Sequence, residues 1–220
     1  MPRMAERRRD EPAPAGRIRQ VNVVRLLDAA EAVFAEQGFG GATTAAIALR
    51  AGLPKANLHY YFGTKEAIYR AVLDRILALW LSAFDPLQEG QDPARVLEAY
   101  IRAKMRHSQE HPQASRVFAS ELLRGAPVIR GFLEGELRQW VERQAAVMRG
   151  WIEAGLMDPV DPVRLLFLVW AATQTYADFD VQIRAVTGRR AQTRADFERA
   201  ADTVVAVVLK GCGVRAPAGR

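Results

Sequence analysis

A chain of 220 residues, half of them hydrophobic and a quarter charged, can bury a sizeable core and has room for a small module plus a larger body. One cysteine, Cys212, excludes an intrachain disulfide and fits a reducing, cytoplasmic setting, with the thiol buried or idle. The charged start predicts no signal peptide, and no apolar run reaches the roughly 20 residues of a membrane span.

In chain order, residues 1–20 (MPRMAERRRDEPAPAGRIRQ) have no apolar stripe and read as a disordered basic arm. Arg7, Arg8 and Arg9 either reach a minor groove or phosphates, or simply stay solvated. Residues 1–65 hold ten Lys/Arg against six acids, so +4 of the net +6 lies there, an electrostatic footprint suited to nucleic acid. Val23, Leu26, Leu27, Ala30, Val33 and Phe34 recur at three- and four-residue spacing and predict the first firm helix. Gly38 ends it, and Phe39 is expected to fold back. From Thr43 to Lys65 (TTAAIALRAGLPKANLHYYFGTK) two short helices flank a tight turn. Thr44 is the expected N-cap, Gly52 the left-handed stop, and Pro54 a suitable start for the second helix.

Leu58 and Phe62 are four apart and are expected to bury. That leaves Lys55, Asn57, His59, Tyr60 and Tyr61 for solvent or a partner. Short helix, glycine turn, second helix is the helix-turn-helix pattern, whose second helix enters a DNA major groove. Asn pairs with adenine there, and Lys reaches guanine or phosphate. Tyr offers a hydroxyl to phosphate and a ring to a thymine methyl. Thr43, Thr44 and Lys65 sit at helix starts that favour a phosphate. A plain surface turn is the alternative. It leaves consecutive rings His59, Tyr60 and Tyr61 exposed without a use.

At Ile47-Ala48, Ala51-Gly52-Leu53, Asn57-Leu58, Tyr60, Phe62, Lys65-Glu66 and Leu73 the chain resembles the DNA-binding domain of TetR-family transcriptional regulators. That family often carries Tyr where this chain has His59, which bears on sequence preference and not on fold. The resemblance implies an all-α protein of about nine helices, a three-helix DNA-binding head and a larger helical ligand-binding and dimerisation body. The expected division is an arm over 1–20, a head over 21–66, a body over 67–212 and a loose tail over 213–220. A double-stranded DNA operator, a small-molecule effector and a second copy of the chain are the implied partners, with repression the usual outcome.

Beyond the head, an amphipathic helix from Lys65 to Phe84 carries Ile68, Val72, Leu73, Ile76, Leu77 and Trp80. Asp85-Pro86 closes it, and residues 89–93 form a loop. Helices are predicted from Pro93 to Glu110, Pro112 to Leu123, Pro127 to Gly155, Asp161 to Val186 and Arg194 to Leu209. The stretch from Leu165 is apolar around most of its circumference, where a surface helix would carry one stripe. The last two helices are therefore expected to form a four-helix interface with a second copy.

HPQASRVFASELLRGAP (111–127) and VWAATQTYADFDVQIRAVTG (169–188) resemble the pyrimidine-utilisation regulators within the family, most specifically over residues 170–182. This implies a pocket for uracil or thymine whose occupation releases DNA. Trp170 and Gln174 are four apart and point to one side. With Trp80 they offer flat rings and an amide to a planar heterocycle. Tyr176 is a further candidate. From the residues alone, core packing is the favoured account of the two tryptophans, and it is the resemblance that turns the balance toward a ligand.

An enzyme is the rival class. Three histidines occur, and His107 and His111 share a helical spacing that can bind metal, but no carboxylate stands at a matching interval. No GxSxG, phosphate-binding loop, dinucleotide fingerprint or cysteine cluster is present. No catalytic residue, metal or cofactor is expected.

Overall fold

Most of the long helix-forming stretches join an apolar stripe at helical spacing to a Gly, Pro, Thr or Asp that starts or stops them, and the architecture follows. The computed structural model describes residues 15–82 and 91–214, and these are all-α. In chain order they form α1 (Ala15–Gly41), α2 (Thr44–Ala51), α3 (Lys55–Phe62), α4 (Lys65–Ser82), α5 (Pro93–Glu110), α6 (Pro112–Leu123), α7 (Arg130–Phe132), α8 (Arg138–Glu153), α9 (Pro162–Asp178), α10 (Asp180–Thr187) and α11 (Arg194–Gly211). A π-helical segment, Leu133–Leu137, joins α7 to α8 without a break. Among the described residues no helix is long and apolar enough to cross a membrane. Arg7–Arg9, the close of α4 at Asp85-Pro86, residues 89 and 90 of the loop, and the tail from 215 lie outside the described residues.

The chain divides into two compact units, Met1–Ala71 and Val72–Arg220, and the division falls inside α4. In the first unit Leu26, Ala30, Val33, Phe34, Ile47, Leu58, Ile68 and Tyr69 are buried. Phe39 turns back as expected. Gly38 takes φ 66°, ψ 172°, which breaks the helical path. The Phe39 ring then sits 4.8 Å from Tyr69 and 6.2 Å from Phe34. One expectation fails here: residues 15–20, assigned to the disordered arm, are helical. Pro14 is the last proline before them, and once a helix is nucleated its extension is cheap even where side chains stay exposed, as Ile18 does.

The body core is built by Leu97, Tyr100 and Ile101 of α5, Trp140, Met148 and Trp151 of α8, Leu165, Leu166 and Val169 of α9, and Val205, Val208 and Leu209 of α11. The buried Cys212 and Val214 close it, with the Val214 N–H donating to the Leu209 carbonyl at 2.9 Å. Position 214 is therefore packed, not loose. Burial pushes the Cys212 thiol above its ordinary pKa, with Asp158 adding to the shift.

The single helix expected over 161–186 is two. In an unbroken helix the Asp180 N–H would bond the Tyr176 carbonyl. Instead Gln192 Nε2 donates to that carbonyl at 2.7 Å and to Asp180 Oδ1 at 2.9 Å. Phe179 adopts φ −112°, ψ 31°, and a new helix starts. The intruding amide comes from a distant loop, so no local pattern signals the break.

Candidate functional site

The first candidate surface belongs to the N-terminal unit. Thr43, not Thr44, is the N-cap of α2: its backbone is extended and its Oγ1 accepts from the Ala46 N–H at 3.0 Å. The Thr43 hydroxyl keeps its own hydrogen to donate. Gly52 ends α2 at φ 62°, ψ 35°, the left-handed region that glycine enters without penalty. Arg25 Nη2 reaches the Ala51 carbonyl at 2.7 Å, and a Cβ on Gly52 would meet that nitrogen at 3.1 Å. The turn is thus fastened to α1, and α3 leaves it in a fixed direction.

On α3, Leu58 is fully buried and Phe62 half-buried. Lys55, His59 and Tyr60 are exposed, Tyr60 by 77 %, while Asn57 and Tyr61 are half-buried. The Tyr60 and Tyr61 rings meet edge to face, 5.1 Å apart. Asn22 Nδ2 approaches the Tyr61 hydroxyl at 3.4 Å. His59 Nδ1 lies 3.0 Å from the Gly63 carbonyl, an acceptor, so Nδ1 is the donor in that bond. Thr64 caps α4 through the Ala67 N–H at 3.1 Å. Lys65 differs from the other residues expected to face DNA. Its Nζ donates to the Phe39 and Ala42 carbonyls at 2.9 and 3.1 Å and stands 4.5 Å over the Phe39 ring, so its charge is directed into the unit.

The second candidate lies in the body. A cavity of about 690 Å³ is lined by Trp80, Trp170 and Gln174, three of the four effector candidates given above. Leu77, Phe118, Leu122, Phe132, Leu133, Leu137, Val141 and Phe167 supply most of the rest of its wall. Such a wall, mainly apolar with a few polar groups, is the usual make-up of a small-molecule site. The two tryptophans differ. Trp170 Nε1 donates to the Tyr100 hydroxyl at 2.6 Å, so Trp170 offers the cavity a ring. Burial pushes the Tyr100 phenol far above its ordinary pKa, against the opposing effect of that bond. Trp80 Nε1 is buried with no partner in the protein, a state that costs roughly 1–3 kcal/mol until an acceptor arrives.

Tyr176 does not line this cavity. It packs against Phe197 at 6.1 Å and borders a smaller hollow near Arg189 and Gln192. Two positions beyond Gln174, it stands about 200° round the helix. Two contributors, the π-helical segment and Lys104, went unnoticed in the sequence, whereas Asp178 was weighed there as part of a local polar network. The π-helical segment lays Leu133, Glu134 and Leu137 along the wall. Lys104, only 3 % exposed, places Nζ 4.2 Å from the Trp80 ring centre. Asp178 lies within electrostatic reach of Lys104 and accepts from the Ser115 hydroxyl at 2.6 Å. Lys104 had a signal: with Leu97, Tyr100, Ile101, Met105 and Ser108 it completes the buried stripe of α5.

A groove of similar volume, about 710 Å³, runs beside Arg102, Arg106, Glu110, Arg194, Glu198 and Asp202. Four of its charges pair, Arg102 with Asp202 and Arg194 with Glu198 at 2.8 Å each, as on a solvated ion-pair surface. His107 and His111 stack 5.8 Å apart, and the described residues contain no group of three His, Cys, Asp or Glu able to hold a metal.

A small head with a capped helix-turn-helix and a helical body enclosing an aromatic cavity defines a ligand-responsive class of DNA-binding regulator. Residues 26–72 match the family model of bacterial regulatory proteins of the tetR family, and residues 73–215 match the YcdC-like C-terminal region. The chain belongs to the TetR family of bacterial transcriptional regulators. It is 40 % identical over 186 residues to the transcriptional regulator RutR of Escherichia coli K12, covering 84 % of this chain and 88 % of that one. The ketosteroid transcriptional regulator KstR2 of Mycobacterium tuberculosis shares the fold at a TM-score of 0.67 and 21 % identity, over 86 % of this chain and 94 % of that one. AibR, solved with isovaleryl coenzyme A and operator DNA, does so at 0.66 and 19 %, over 84 % and 97 %. RutR and KstR2 are transcriptional regulators.

Proposed function

We propose that this regulator binds its operator as a homodimer and is released from it by a small planar metabolite, with uracil or thymine the first candidates. In this reading α3 enters the major groove. Lys55 and Asn57 present an ammonium and an amide to base edges or phosphate, and His59, Tyr60 and Tyr61 add acceptors, hydroxyls and rings. Thr43 and Thr44 meet a phosphate at the start of α2. Lys65 serves from within, fastening the C-terminal turn of α1 to the start of α4. AibR is a chain of this fold that takes both an acyl coenzyme A and operator DNA.

Pairing rests on the apolar side chains that the last long helices leave exposed, Phe167 and Leu168 on α9 and Val207 on α11. A second copy covers them in a four-helix interface and sets two heads for two half-sites. Sedimentation as a monomer at micromolar concentration would reject the pairing.

The observation that carries the effector reading is the convergence of Trp80, Trp170 and Gln174 on one cavity. The resemblance of 111–127 and 169–188 to pyrimidine-utilisation regulators supports uracil and thymine as the first candidates. Leu77 and Trp80 belong to α4, and that helix starts in the N-terminal unit. A ligand that favours one position of α4 biases the chain away from its DNA-competent state. The test is a mobility-shift titration of promoter DNA with uracil and thymine. Release by either supports the reading, and Trp80→Ala should then uncouple ligand from release while DNA binding persists. No response to either, with a response to an unrelated metabolite, rejects the pyrimidine.

A further inference from the structure

We infer that the effector is a planar polar ring carrying an apolar extension, and that this extension takes up most of the body cavity. The inference rests on the ligand reading of this cavity given above and adds the size and polarity of the molecule that fills it. The cavity measures about 690 Å³. A bare pyrimidine such as uracil occupies on the order of 130 Å³ at the packing density of a protein interior. It therefore accounts for roughly a fifth of the space. Water is a poor occupant for the remainder, because a buried water needs two to four polar partners. Leu77, Phe118, Phe132, Leu133, Leu137 and Val141 line the cavity with side chains of carbon alone.

The polar lining groups are few, and most are engaged or stand at the edge. Lys104 Nζ lies 4.2 Å over the Trp80 ring centre and within electrostatic reach of Asp178, so the protein itself holds that ammonium. Trp170 Nε1 is taken by the Tyr100 hydroxyl. Glu134, Arg138 and Glu142 are exposed, and Arg138 pairs with Glu142 at 3.0 Å, which assigns the three to the rim. Among the lining side chains, the Gln174 amide and the Trp80 indole N–H remain. They are enough for one polar ring and too few for a polar molecule several times larger. Such a molecule would give up hydrogen bonds to water against a wall that cannot replace them. Hydrocarbon gives up none, and each methylene buried strengthens binding by about fourfold. The selected class is therefore a ring amide or imide bearing an alkyl or aryl substituent of several carbons. An occupant that fills the cavity also touches the π-helical segment, because Leu133 and Leu137 line it.

Calorimetric titration of the full chain with uracil and with its 1-butyl, 5-butyl and 6-butyl derivatives tests this. One butyl isomer should bind at least about thirtyfold more tightly than uracil, the gain from its buried methylenes being reduced by the ordering of the chain. Its binding should also carry the more negative heat-capacity change. Leu133→Trp fills part of the cavity and should weaken that isomer at least about tenfold, but uracil less than about twofold. The butyl series on the wild type needs no variant, so a poorly folding L133W does not shelter the idea. If uracil binds and no butyl isomer binds more tightly, the extension is wrong while the pyrimidine reading stands. If a folded L133W keeps the affinity of the best isomer, or loses uracil to the same degree, the extension does not use this space and the inference falls. 1-Hexanol binding as tightly as the best isomer would remove the ring from the class. If none of the four pyrimidines binds, the pyrimidine reading and this inference fall together, a result distinct from failure of the extension alone.

Discussion

The two units treat polar side chains in opposite ways. The buried polar residues Lys104, Ser108, Ser115, Glu121, Gln144 and Thr173 all belong to the body, and the described part of the N-terminal unit contributes none to that set. In the first unit, polar groups cap helices and hold turns at the surface, as Thr43, Thr64 and Arg25 do, while rings such as Tyr60 stay outside. The arrangement suits a rigid frame that presents a surface to another molecule. In the body, polar groups are held inside at a cost, which is how a protein prepares to recognise something small. Ser108 Oγ and Trp80 Nε1 are buried there without protein partners.

The largest expected effect breaks this contrast at Lys104. In the unfolded chain a lysine takes up its proton as pH falls through 10.5, whereas burial delays that step in the body to about 7. Between those values the unfolded state binds the extra proton, so the body gains stability as pH rises from 7, by up to about 1.4 kcal/mol per unit. Asp178, whose own pKa burial raises, and His107, whose pKa burial lowers, are the titratable groups facing Lys104. His107 therefore titrates below this window. Chemical denaturation of wild type and Lys104→Met at pH 7, 8 and 9 should give a rising difference in favour of alkaline wild type. Parallel profiles would remove the buried charge from the account.

In the first unit the largest loss should come from its core. Leu58→Ala deletes a fully buried side chain and should cost roughly 3 kcal/mol. Operator binding should fall with it, and unfolding of residues 72–214, followed by hydrogen exchange, should be unchanged. Lys65→Met comes next. It removes two charge-assisted bonds to the Phe39 and Ala42 carbonyls and a cation–ring contact, and should lower the stability of that unit by about 2 kcal/mol. If Lys65→Met instead keeps its melting temperature and loses only DNA affinity, the inward role assigned to this ammonium is wrong.

How far the sequence reveals these features depends on the distance over which each is determined. Gly52, Thr64 and the Leu58 position are local: the residue type, the turn and the spacing decide them within a few positions. α5 and α6 run between the residues that Pro93, Pro112 and the apolar period predict, Pro93–Glu110 and Pro112–Leu123. The cavity is half local. Trp170 and Gln174 share a face by period alone, but Trp80 joins them only through tertiary packing, and family resemblance rather than spacing linked the three. Features decided by a partner distant in sequence stayed hidden. The Gln192 amide divides α9 from α10, and the pull of the Phe39 and Ala42 carbonyls turns Lys65 inward. The π-helical stretch of Leu133–Leu137 has no compositional mark, although such stretches recur at functional sites.

The smallest effect on stability is expected at Tyr60, and it sharpens the contrast most. The ring is 77 % exposed, and its contact among the residues described is the edge of Tyr61 at 5.1 Å. Tyr60→Ala should therefore change the stability of the first unit by no more than about 0.5 kcal/mol. If α3 reads DNA, the same change removes a hydroxyl for phosphate and a ring for a thymine methyl, and operator affinity should drop about tenfold at fixed salt. Lys55→Ala beside it should weaken specific and random DNA alike and flatten the salt dependence, because a phosphate contact carries no sequence information. A Tyr60→Ala protein that keeps full operator affinity would mean the exposed ring serves some other surface, and the DNA-reading role would then have to rest on Asn57 and Lys55.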